Sequence, residues 1–151
     1  MLEKKGDIWE SGAEAICVTT NGVVKKDGTL VMGAGIAKQA ATRFEHLARD
    51  LGKHVMSEGN IPAIINVWHT SPFVISFPTK HHWKDPSDLG LVTESARRIL
   101  KIADSFAKID LNLKSIATVR PGCGHGQLDW EQVRPALADI FDDRFTVWSP
   151  K

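Results

Sequence analysis

The sequence predicts an α/β fold in which helices cover both faces of a mostly parallel sheet. Short apolar runs rich in β-branched residues, which are typical of buried strands, alternate with stretches whose apolar residues recur every three or four positions, as in amphipathic helices. With 151 residues, 42% of them hydrophobic, the chain is long enough to bury one core. It contains no linker, low-complexity tract or internal repeat, so we expect a single domain over residues 1–151.

The first half of the chain is predicted to form three strands and one helix. The strand "AICVTT" ends at the turn-forming pair Asn21 and Gly22. A helix that ends near Gly52 is expected next, because apolar residues line one of its faces: Ile36, Ala40, Phe44, Leu47 and Leu51. The segments "IPAIINVWH" and "PFVISFP" then predict two neighbouring strands, separated at residues 70–72.

The second half is predicted to form two helices and two strands. The first of these helices is expected to be capped near Ser87 or Asp88 and to bury one stripe of side chains: Leu89, Val92, Ala96, Ile99, Ala103 and Phe106. "SIATVRP" follows as a strand, and the segment "GCGHGQLD" connects it to a helix that begins near Trp130. "RFTVW" predicts the last strand.

Composition limits the classes of function. The 19 Lys and Arg residues against 18 Asp and Glu leave a net charge of +1, so the chain lacks the positive excess that drives non-specific nucleic-acid binding. No apolar run has the length of a signal-peptide core or a membrane span, so we expect a cytoplasmic protein with no membrane partner. Cys17 and Cys123 match neither a disulfide framework nor a zinc site and are expected to be reduced. The sequence contains no motif that predicts a metal site or a cofactor, so we expect neither.

Two glycine-rich segments each precede a predicted helix: "GAG" at residues 33–35 and "GCGHG" at residues 122–126. Glycine lets the backbone approach a ligand closely, and the free N–H groups at a helix start favour an anion. In an open α/β sheet such loops lie at the carboxyl ends of the strands, where ligands bind. The pair predicts a phosphate-binding cleft; the alternative is that these glycines serve only turns and packing.

Neither of two familiar phosphate motifs is present. A P-loop requires a glycine before its lysine and Ser or Thr after it, whereas Lys38 in "GAGIAKQ" follows an alanine and precedes Gln39. A dinucleotide fingerprint requires a third glycine where Lys38 stands and an acidic residue at the end of the next strand. Glu58 has the required spacing but lies within "SEGN", which is not a strand end. The sequence therefore argues against a Rossmann dehydrogenase.

Several motifs occur in the order and spacing of a macro domain: "GDIW", the strand ending in "TTN", "MGAGIAKQ", "FPTKHHW", "GCGHGQLDW" and "FTVW". They span essentially the whole chain, which therefore resembles the macro domain family. The elements "FPTK…W" and "GCG…LDW" resemble the branch of the terminal ADP-ribose protein glycohydrolase and the DarG antitoxin, which removes ADP-ribose from DNA bases. The resemblance implies ADP-ribose binding by a three-layer α/β/α sandwich with a central mixed, mostly parallel sheet.

The resemblance also implies roles for single positions. Asp7, followed by Ile8, matches the aspartate that accepts a hydrogen bond from the adenine amino group, although an aspartate here can also cap a turn. Asn21 matches a polar position beside the distal ribose, or serves the turn alone. Trp148, at the end of the last predicted strand, is expected to line the part of the site that holds adenine. The two loops match the segments around the diphosphate and distal ribose: Gly33, Ala34, Gly35 and Ile36 in the first, and Gly122, Cys123, Gly124, His125 and Gly126 in the second.

Lys80, in "FPTK", separates an enzyme from a binding module. In the branch that this chain resembles, the matching lysine attacks the opened distal ribose at its anomeric carbon, and a lysine amine is suited to react with a carbonyl. The alternative is a solvated lysine that supplies only charge. Trp83, close by in the same loop, is placed to contact the molecule that carries the ADP-ribose.

The implied function is an ADP-ribosyl hydrolase that acts on ADP-ribosylated DNA or protein, with the linkage at a DNA base or a protein carboxylate. An ADP-ribosyltransferase would add the modification that this protein removes, and the protein would then act as an antitoxin. The alternatives are a non-catalytic ADP-ribose reader and a phosphatase acting on ADP-ribose 1″-phosphate.

One departure from the family pattern concerns the catalytic acid. The protein-directed glycohydrolase has an aspartate two residues after "GCG", and Gly126 stands there in this chain. Asp129 is the nearest carboxylate, although capping is the ordinary role of an aspartate at a helix start. His125 is the other candidate for moving a proton. Cys123 lacks a sequence signature that pairs it, as a nucleophile, with a base.

Overall fold

The computed structural model describes residues 1–66, 72–109 and 113–151. The strands in these ranges are β1 (Leu2–Lys5), β2 (Ala15–Thr20), β3 (Ile64–Ile65), β4 (Phe73–Pro78), β5 (Ile116–Val119) and β6 (Phe145–Ser149). The α-helices are α1 (Gly35–Arg43), α2 (Leu47–Glu58), α3 (Leu89–Lys108) and α4 (Trp130–Ala138). No helix in the described ranges is long and apolar enough to cross a membrane.

The strands form one sheet in the order β1-β6-β5-β2-β4-β3. Every neighbouring pair is parallel except β3 with β4, which is antiparallel. Ala15, at the start of β2, pairs with Phe73 of β4 on one side and with Ile116 of β5 on the other. The mixed, mostly parallel sheet is therefore confirmed, and the carboxyl ends of five strands lie along one edge of it.

Helices cover both faces of the sheet. On one face α1 and α2 pack Ala40 and Leu51 against Ile16 and Val18 of β2. On the other face α3 and α4 pack against a second set of sheet residues: Ala15, Cys17, Ile75, Phe77, Ile116 and Phe145. Because successive side chains of β2 point to opposite faces and both faces are covered, this strand is apolar almost throughout. The predicted three-layer arrangement is confirmed.

The single helix predicted up to Gly52 is wrong, because two helices occupy that segment. The α1 helix ends at Arg43, because the backbone of its C-cap Phe44 is extended, with φ −125° and ψ 99°. The Phe44 ring packs into the core beside Trp9, with 6.0 Å between the ring centroids. The α2 helix then continues to a C-cap at Gly59, which has φ 91°. Both helices face the same core, so one apolar stripe in the sequence spans the break between them.

The other predicted elements differ in how well they match the structure. Asp88 caps α3, its Oδ1 accepting a hydrogen bond of 2.8 Å from the Gly90 N–H, as predicted. The helix predicted near Trp130 also begins there. Strand β1 was not predicted, since "LEKK" is exposed and carries no apolar alternation. Of the predicted strand "IPAIINVWH" only β3 is observed in the described residues, and residues 67–71, including part of the predicted turn, lie outside them.

Gly52 fixes the approach of α2 to the turn that precedes the first glycine loop. It is buried within the helix, and a Cβ at this position would collide with the backbone carbonyl of Gly28. The neighbouring Leu30 N–H donates to the Ala48 carbonyl at 2.9 Å. Close backbone contact therefore requires glycine at position 52.

We predict that Gly52→Ala lowers the free energy of unfolding by about 1–3 kcal/mol, the usual cost of overpacking a core. Alanine favours a helix over glycine by about 1 kcal/mol, so a net loss requires the steric term to exceed this gain. Equilibrium denaturant unfolding measures the change. Gly90→Ala, in the first turn of α3, is the matched control and should be close to neutral. Equal stability of the Gly52→Ala variant and the wild type would contradict the prediction.

Candidate functional site

A cleft of two adjoining cavities opens at the carboxyl edge of the sheet. The lysine cavity, of about 760 Å³, contains Lys80 and both glycine-rich loops in its wall. The aspartate cavity, of about 890 Å³, contains Asp7, Ile8 and Trp9. Five residues line both cavities: Ile36, Val119, Trp148, Ser149 and Pro150. An elongated ligand can therefore extend from one cavity into the other.

The structure brings most of the sequence-predicted site residues to this cleft. Asp7 and Ile8 line the aspartate cavity, and Trp148 and Ile36 lie between the two cavities. The remaining predicted residues, apart from Asp129, line the lysine cavity: Asn21, Gly33, Ala34, Gly35, Lys80, Gly122, Cys123, Gly124, His125 and Gly126. Asp129 lines neither cavity and is exposed at the start of α4.

The first glycine loop ends in a helix start that points its backbone at the cleft. Ala34 is the N-cap of α1 and has no side chain that can accept a hydrogen bond, and Gly35 takes a left-handed φ of 57°. The first N–H groups of a helix lack partners within the helix, so without a side-chain cap they are available to a ligand. Together with the helix dipole they favour an anion.

The second glycine loop faces the first across the lysine cavity. The His125 Cδ2 atom lies 3.8 Å from the position that a Cβ on Gly35 would occupy. Gly122 and Gly124 have left-handed φ values of 79° and 72°, which glycine adopts without strain. The loop is closed by a hydrogen bond of 2.9 Å from the Leu128 N–H to the Gly122 carbonyl. The two loops therefore form opposite walls of one cavity.

Gly126 packs against Ser87, the residue that precedes the N-cap of α3. The Ser87 N–H donates to the Gly126 carbonyl at 2.8 Å, and a Cβ on Gly126 would collide with Ser87 Oγ. Ser87 is 7% exposed, and its Oγ has no hydrogen-bond partner in the described part of the chain. A side chain at position 126 would therefore require this serine to shift. The close contact is a local reason why glycine suits this position.

Asn21 holds the start of the first loop in place. Its Nδ2 donates to the Val31 carbonyl at 3.0 Å, and its Oδ1 accepts from the Val23 N–H at 2.9 Å. These bonds give the residue the turn role that the sequence offered as an alternative. One amide hydrogen is left over, since a primary amide has two, so Asn21 can serve both the turn and a ligand in the lysine cavity.

Lys80 lies two residues after the end of β4 and is half-buried in the lysine cavity. Its backbone carbonyl accepts a hydrogen bond of 3.1 Å from Asn60 Nδ2. The preceding Thr79 N–H bonds to the Thr20 carbonyl at 3.1 Å, which extends the pairing of β2 with β4. The Lys80 Nζ donates to the Trp83 carbonyl at 3.5 Å, and no other hydrogen-bond partner of this ammonium lies among the described residues. The backbone at Lys80 is therefore fixed, while the end of its side chain is held by one long hydrogen bond.

Asp7 caps a turn, which is one of the two roles that the sequence offered, and it also lines the cleft. Its Oδ1 accepts a hydrogen bond of 2.9 Å from the Trp9 N–H and so caps the short 3-10 turn Ile8–Glu10. The same carboxylate is exposed in the aspartate cavity. A carboxylate has about four acceptor sites on its two oxygens, so capping leaves acceptors for a ligand.

Cys123 is a poor nucleophile in this environment. Burial raises the pKa of its thiol, and the opposing effect of Arg120 does not cancel this rise. Its Sγ makes a long contact of 3.8 Å with the Pro121 carbonyl. At neutral pH the thiol is protonated, whereas the thiolate is the reactive form. Cys123 therefore contributes shape and backbone rather than a reacting group.

Arg120 lines the lysine cavity and was missed in the sequence, although it directly follows β5 at the carboxyl edge. Its guanidinium lies 5.1 Å from the centroid of the Trp130 ring and 3.9 Å from the carboxylate of Glu3. Arg134 and Trp130 also bind that carboxylate and lower the pKa of Glu3. Other polar lining residues that were missed include Thr20, Thr79 and Ser149, whose positions at or beside strand ends were the available signal. Ser87, which precedes the N-cap of α3, was also missed. Among the described residues no cluster of His, Cys, Asp and Glu is placed to hold a metal ion.

Comparison with known proteins identifies relatives of similar sequence, although no protein-family model matches. The chain is 30% identical over 141 residues to a DNA ADP-ribosyl glycohydrolase of Mycobacterium tuberculosis, covering 90% of this chain and 37% of the relative. A Thermus aquaticus protein of the same name is 28% identical, covering 95% and 39%. A Thermosipho africanus protein named as a fusion of DNA ADP-ribosyl transferase and DNA ADP-ribosyl glycohydrolase is 26% identical, covering 88% and 37%. The chain spans less than two fifths of the length of each of these curated relatives.

Solved structures show the same fold. The macrodomain of Mycobacterium tuberculosis DarG superimposes with a TM-score of 0.81 and 25% identity, covering 99% of both chains. Thermosipho africanus DarTG, solved in complex with ADP-ribose, superimposes with a TM-score of 0.74 and 24% identity, covering 97% of this chain and 40% of that one. The layers and mixed sheet described above are thus those of a macrodomain.

The contact between Gly126 and Ser87 generates a prediction about stability. Gly126→Ala should lower the free energy of unfolding by about 1–3 kcal/mol, because the added methyl group overlaps the serine hydroxyl. Combining it with Ser87→Gly should recover most of that loss, because the overlap is removed. Denaturant unfolding of both single variants and the double variant gives the coupling energy. Additive effects of the two substitutions would show that the two residues do not constrain each other.

Proposed function

The chain is a macrodomain that resembles those of DarG, and from this premise we propose that it binds ADP-ribose and hydrolyses its linkage to DNA. The observation that carries the proposal is that Lys80 lies in the same cavity as both glycine-rich loops. The loops present backbone suited to a diphosphate, and the lysine presents an amine beside it. The relatives are named as enzymes that remove ADP-ribose from DNA.

The two cavities accommodate the two ends of ADP-ribose. In the proposed arrangement adenine lies in the aspartate cavity, where Asp7 accepts a hydrogen bond from its amino group. The diphosphate lies between the N-terminus of α1 and the second loop, where N–H groups and a helix dipole favour negative charge. Arg120 adds a positive charge at that end. The distal ribose then lies beside Asn21 and Lys80.

Lys80 can supply both the nucleophile and the proton that the reaction requires. The C1″–nitrogen bond to the base breaks with its electron pair going to the base, and the ammonium of Lys80 gives that nitrogen a proton. The resulting amine forms a bond to C1″. Water then adds to C1″ and releases the amine, so the net reaction consumes one water and yields ADP-ribose and the unmodified base. Such a sequence of steps does not require a carboxylate at position 126, where Gly126 packs against Ser87.

A DNA substrate is preferred to a protein substrate because the curated relatives are named for DNA. The fusion of a related glycohydrolase with a DNA ADP-ribosyl transferase supports a transferase as the opposing partner. A location in the cytoplasm fits a DNA substrate and stays a prediction. The reader function is the second candidate, favoured by the exposed, uncapped start of α1, which suits binding alone.

Lys80→Ala is expected to reduce the release of ADP-ribose from thymidine-linked ADP-ribose by about a hundredfold or more, because it removes the reacting amine. The Kd for free ADP-ribose should change little, since loop backbones provide most of its contacts. Single-turnover product release and calorimetry measure the two quantities. Lys108 is the last residue of α3 and provides the matched control. The Lys108→Ala variant should retain wild-type turnover.

The same assays separate the candidate functions. A wild-type protein that binds ADP-ribose but releases none from either thymidine-linked or glutamate-linked substrate would be a reader. Release from the glutamate-linked substrate alone would replace DNA with protein as the substrate. Unchanged turnover in Lys80→Ala would exclude the lysine mechanism.

Gly33→Val tests whether the first loop holds the ligand. A Cβ at Gly33 has no protein atom within 4 Å, so the substitution should change the thermal midpoint little. The added side chain lies in the wall of the lysine cavity, where it competes with the ligand, and the Kd for ADP-ribose should rise about tenfold or more. Calorimetry and thermal unfolding provide the two readouts. A large loss of stability with unchanged affinity would assign Gly33 to folding instead.

A further inference from the structure

The loop between β4 and α3 carries an aromatic and basic surface at the mouth of the lysine cavity. We name His82, Trp83 and Lys84 the rim patch. Trp83 is 49% exposed, although large apolar side chains in this fold are mostly buried, and it also lines the lysine cavity. Its backbone carbonyl lies 3.5 Å from Lys80 Nζ. The patch therefore lies within reach of a molecule attached to a ligand at Lys80.

The rim patch is ordered by its own contacts. The rings of His82 and Trp83 stack with centroids 5.6 Å apart and planes 28° apart. His82 Nδ1 accepts a hydrogen bond of 3.1 Å from the Lys84 N–H, and the Asp85 N–H donates to the His82 carbonyl at 3.0 Å. The Lys84 ammonium lies 5.2 Å from the centroid of the Trp83 ring. The patch thus presents a planar surface with a cation beside it.

We propose that the rim patch binds the single-stranded DNA that flanks the modified base, a deepening that rests on the proposed function. An unpaired base has a flat face that stacks on an aromatic side chain, and a phosphate follows at the distance of one sugar. The rim patch matches this alternation, with Trp83 for the base and Lys84 for the phosphate.

The surrounding charges support a DNA strand as the occupant. Among the described residues, the wall of the lysine cavity contains two cations, Lys80 and Arg120, and no carboxylate. Lys84 in the loop is opposed by Asp85 and Asp88, so the positive excess lies at the cavity itself, in a chain whose overall net charge is only +1. Binding of nucleic acid must depend on such a local site, because the rest of the surface provides no general attraction.

The contact between Lys84 and Trp83 does not block a base. A cation–π contact at an exposed ring is weak, and a lysine side chain has several rotatable bonds. When a base stacks on Trp83, the ammonium of Lys84 can move to the adjacent phosphate and exchange one weak contact for a charge pair. Binding therefore requires the rearrangement of one side chain and leaves the backbone of the loop in place.

The test compares two ligands in the Lys80→Ala background, where turnover is suppressed: thymidine-linked ADP-ribose, and the same modified thymidine within a single-stranded oligonucleotide. The ratio of their Kd values cancels any effect that both ligands share. We expect the oligonucleotide to bind at least about tenfold more tightly. Adding Trp83→Ala should remove about tenfold of this advantage, and Trp83→Phe should keep most of it. Adding Lys84→Ala should reduce the slope of log K against log salt by about 0.7.

Lys108→Ala is the matched control, because a helix as long as α3 places it roughly 30 Å from the cleft. It should leave the ratio of Kd values unchanged. An oligonucleotide that binds no more tightly than the nucleoside, or an advantage that survives Trp83→Ala, would overturn this inference while leaving the proposed function intact. Tighter binding of a glutamate-linked peptide than of the oligonucleotide would assign a protein to the patch. Failure of both thymidine ligands to bind would overturn the proposed function, and this inference with it.

Discussion

The parallel pairing of β2 with β4 on one side and with β5 on the other is the constraint on which the cleft depends. Because these strands run in the same direction, the residues that follow them emerge at one edge of the sheet: Asn21, Lys80 and Arg120. The register of β2 is fixed by two cores, since it has buried side chains on both faces. A shift by one residue would turn each of these side chains to the other face. Hydrophobic packing thus sets the positions of the polar groups in the cleft.

The second constraint is steric and lies between Ser87 and Gly126. The serine hydroxyl overlaps the position of a Cβ at residue 126, so a side chain there requires the serine to shift. In the proposed arrangement, a carboxylate at that position would also place a negative charge close to the diphosphate and beside the lysine. Without it, the proposed reaction takes its proton from Lys80, and His125, which also lines this cavity, is the other candidate.

A chain with almost no net charge must bind an anion through local features. The cleft provides them in three forms: uncapped N–H groups at the start of α1, glycine backbone in two facing loops, and the cations Lys80 and Arg120. Backbone donors are fixed by the fold, whereas lysine and arginine side chains lose conformational entropy when they bind. The rim patch extends the same principle outward, with a ring and a flexible cation on an ordered loop.

Much of this protein was determined by the sequence alone. The spacing of apolar residues and the local composition predicted the buried strands and the cap of α3, because these features depend on residues close together in the chain. The order of the motifs predicted the macrodomain fold. Local sequence patterns did not predict two features that depend on tertiary contacts. The break at Phe44 lies within an unbroken apolar stripe, and β1 forms from an exposed charged segment that pairs with β6. Only the tertiary structure placed Arg120 and Ser87 in the cleft and left Asp129 outside it. The physical reason is that a cleft is formed by chain segments that are far apart in sequence, and the strand register and steric fit that join them become fixed only when the sheet assembles.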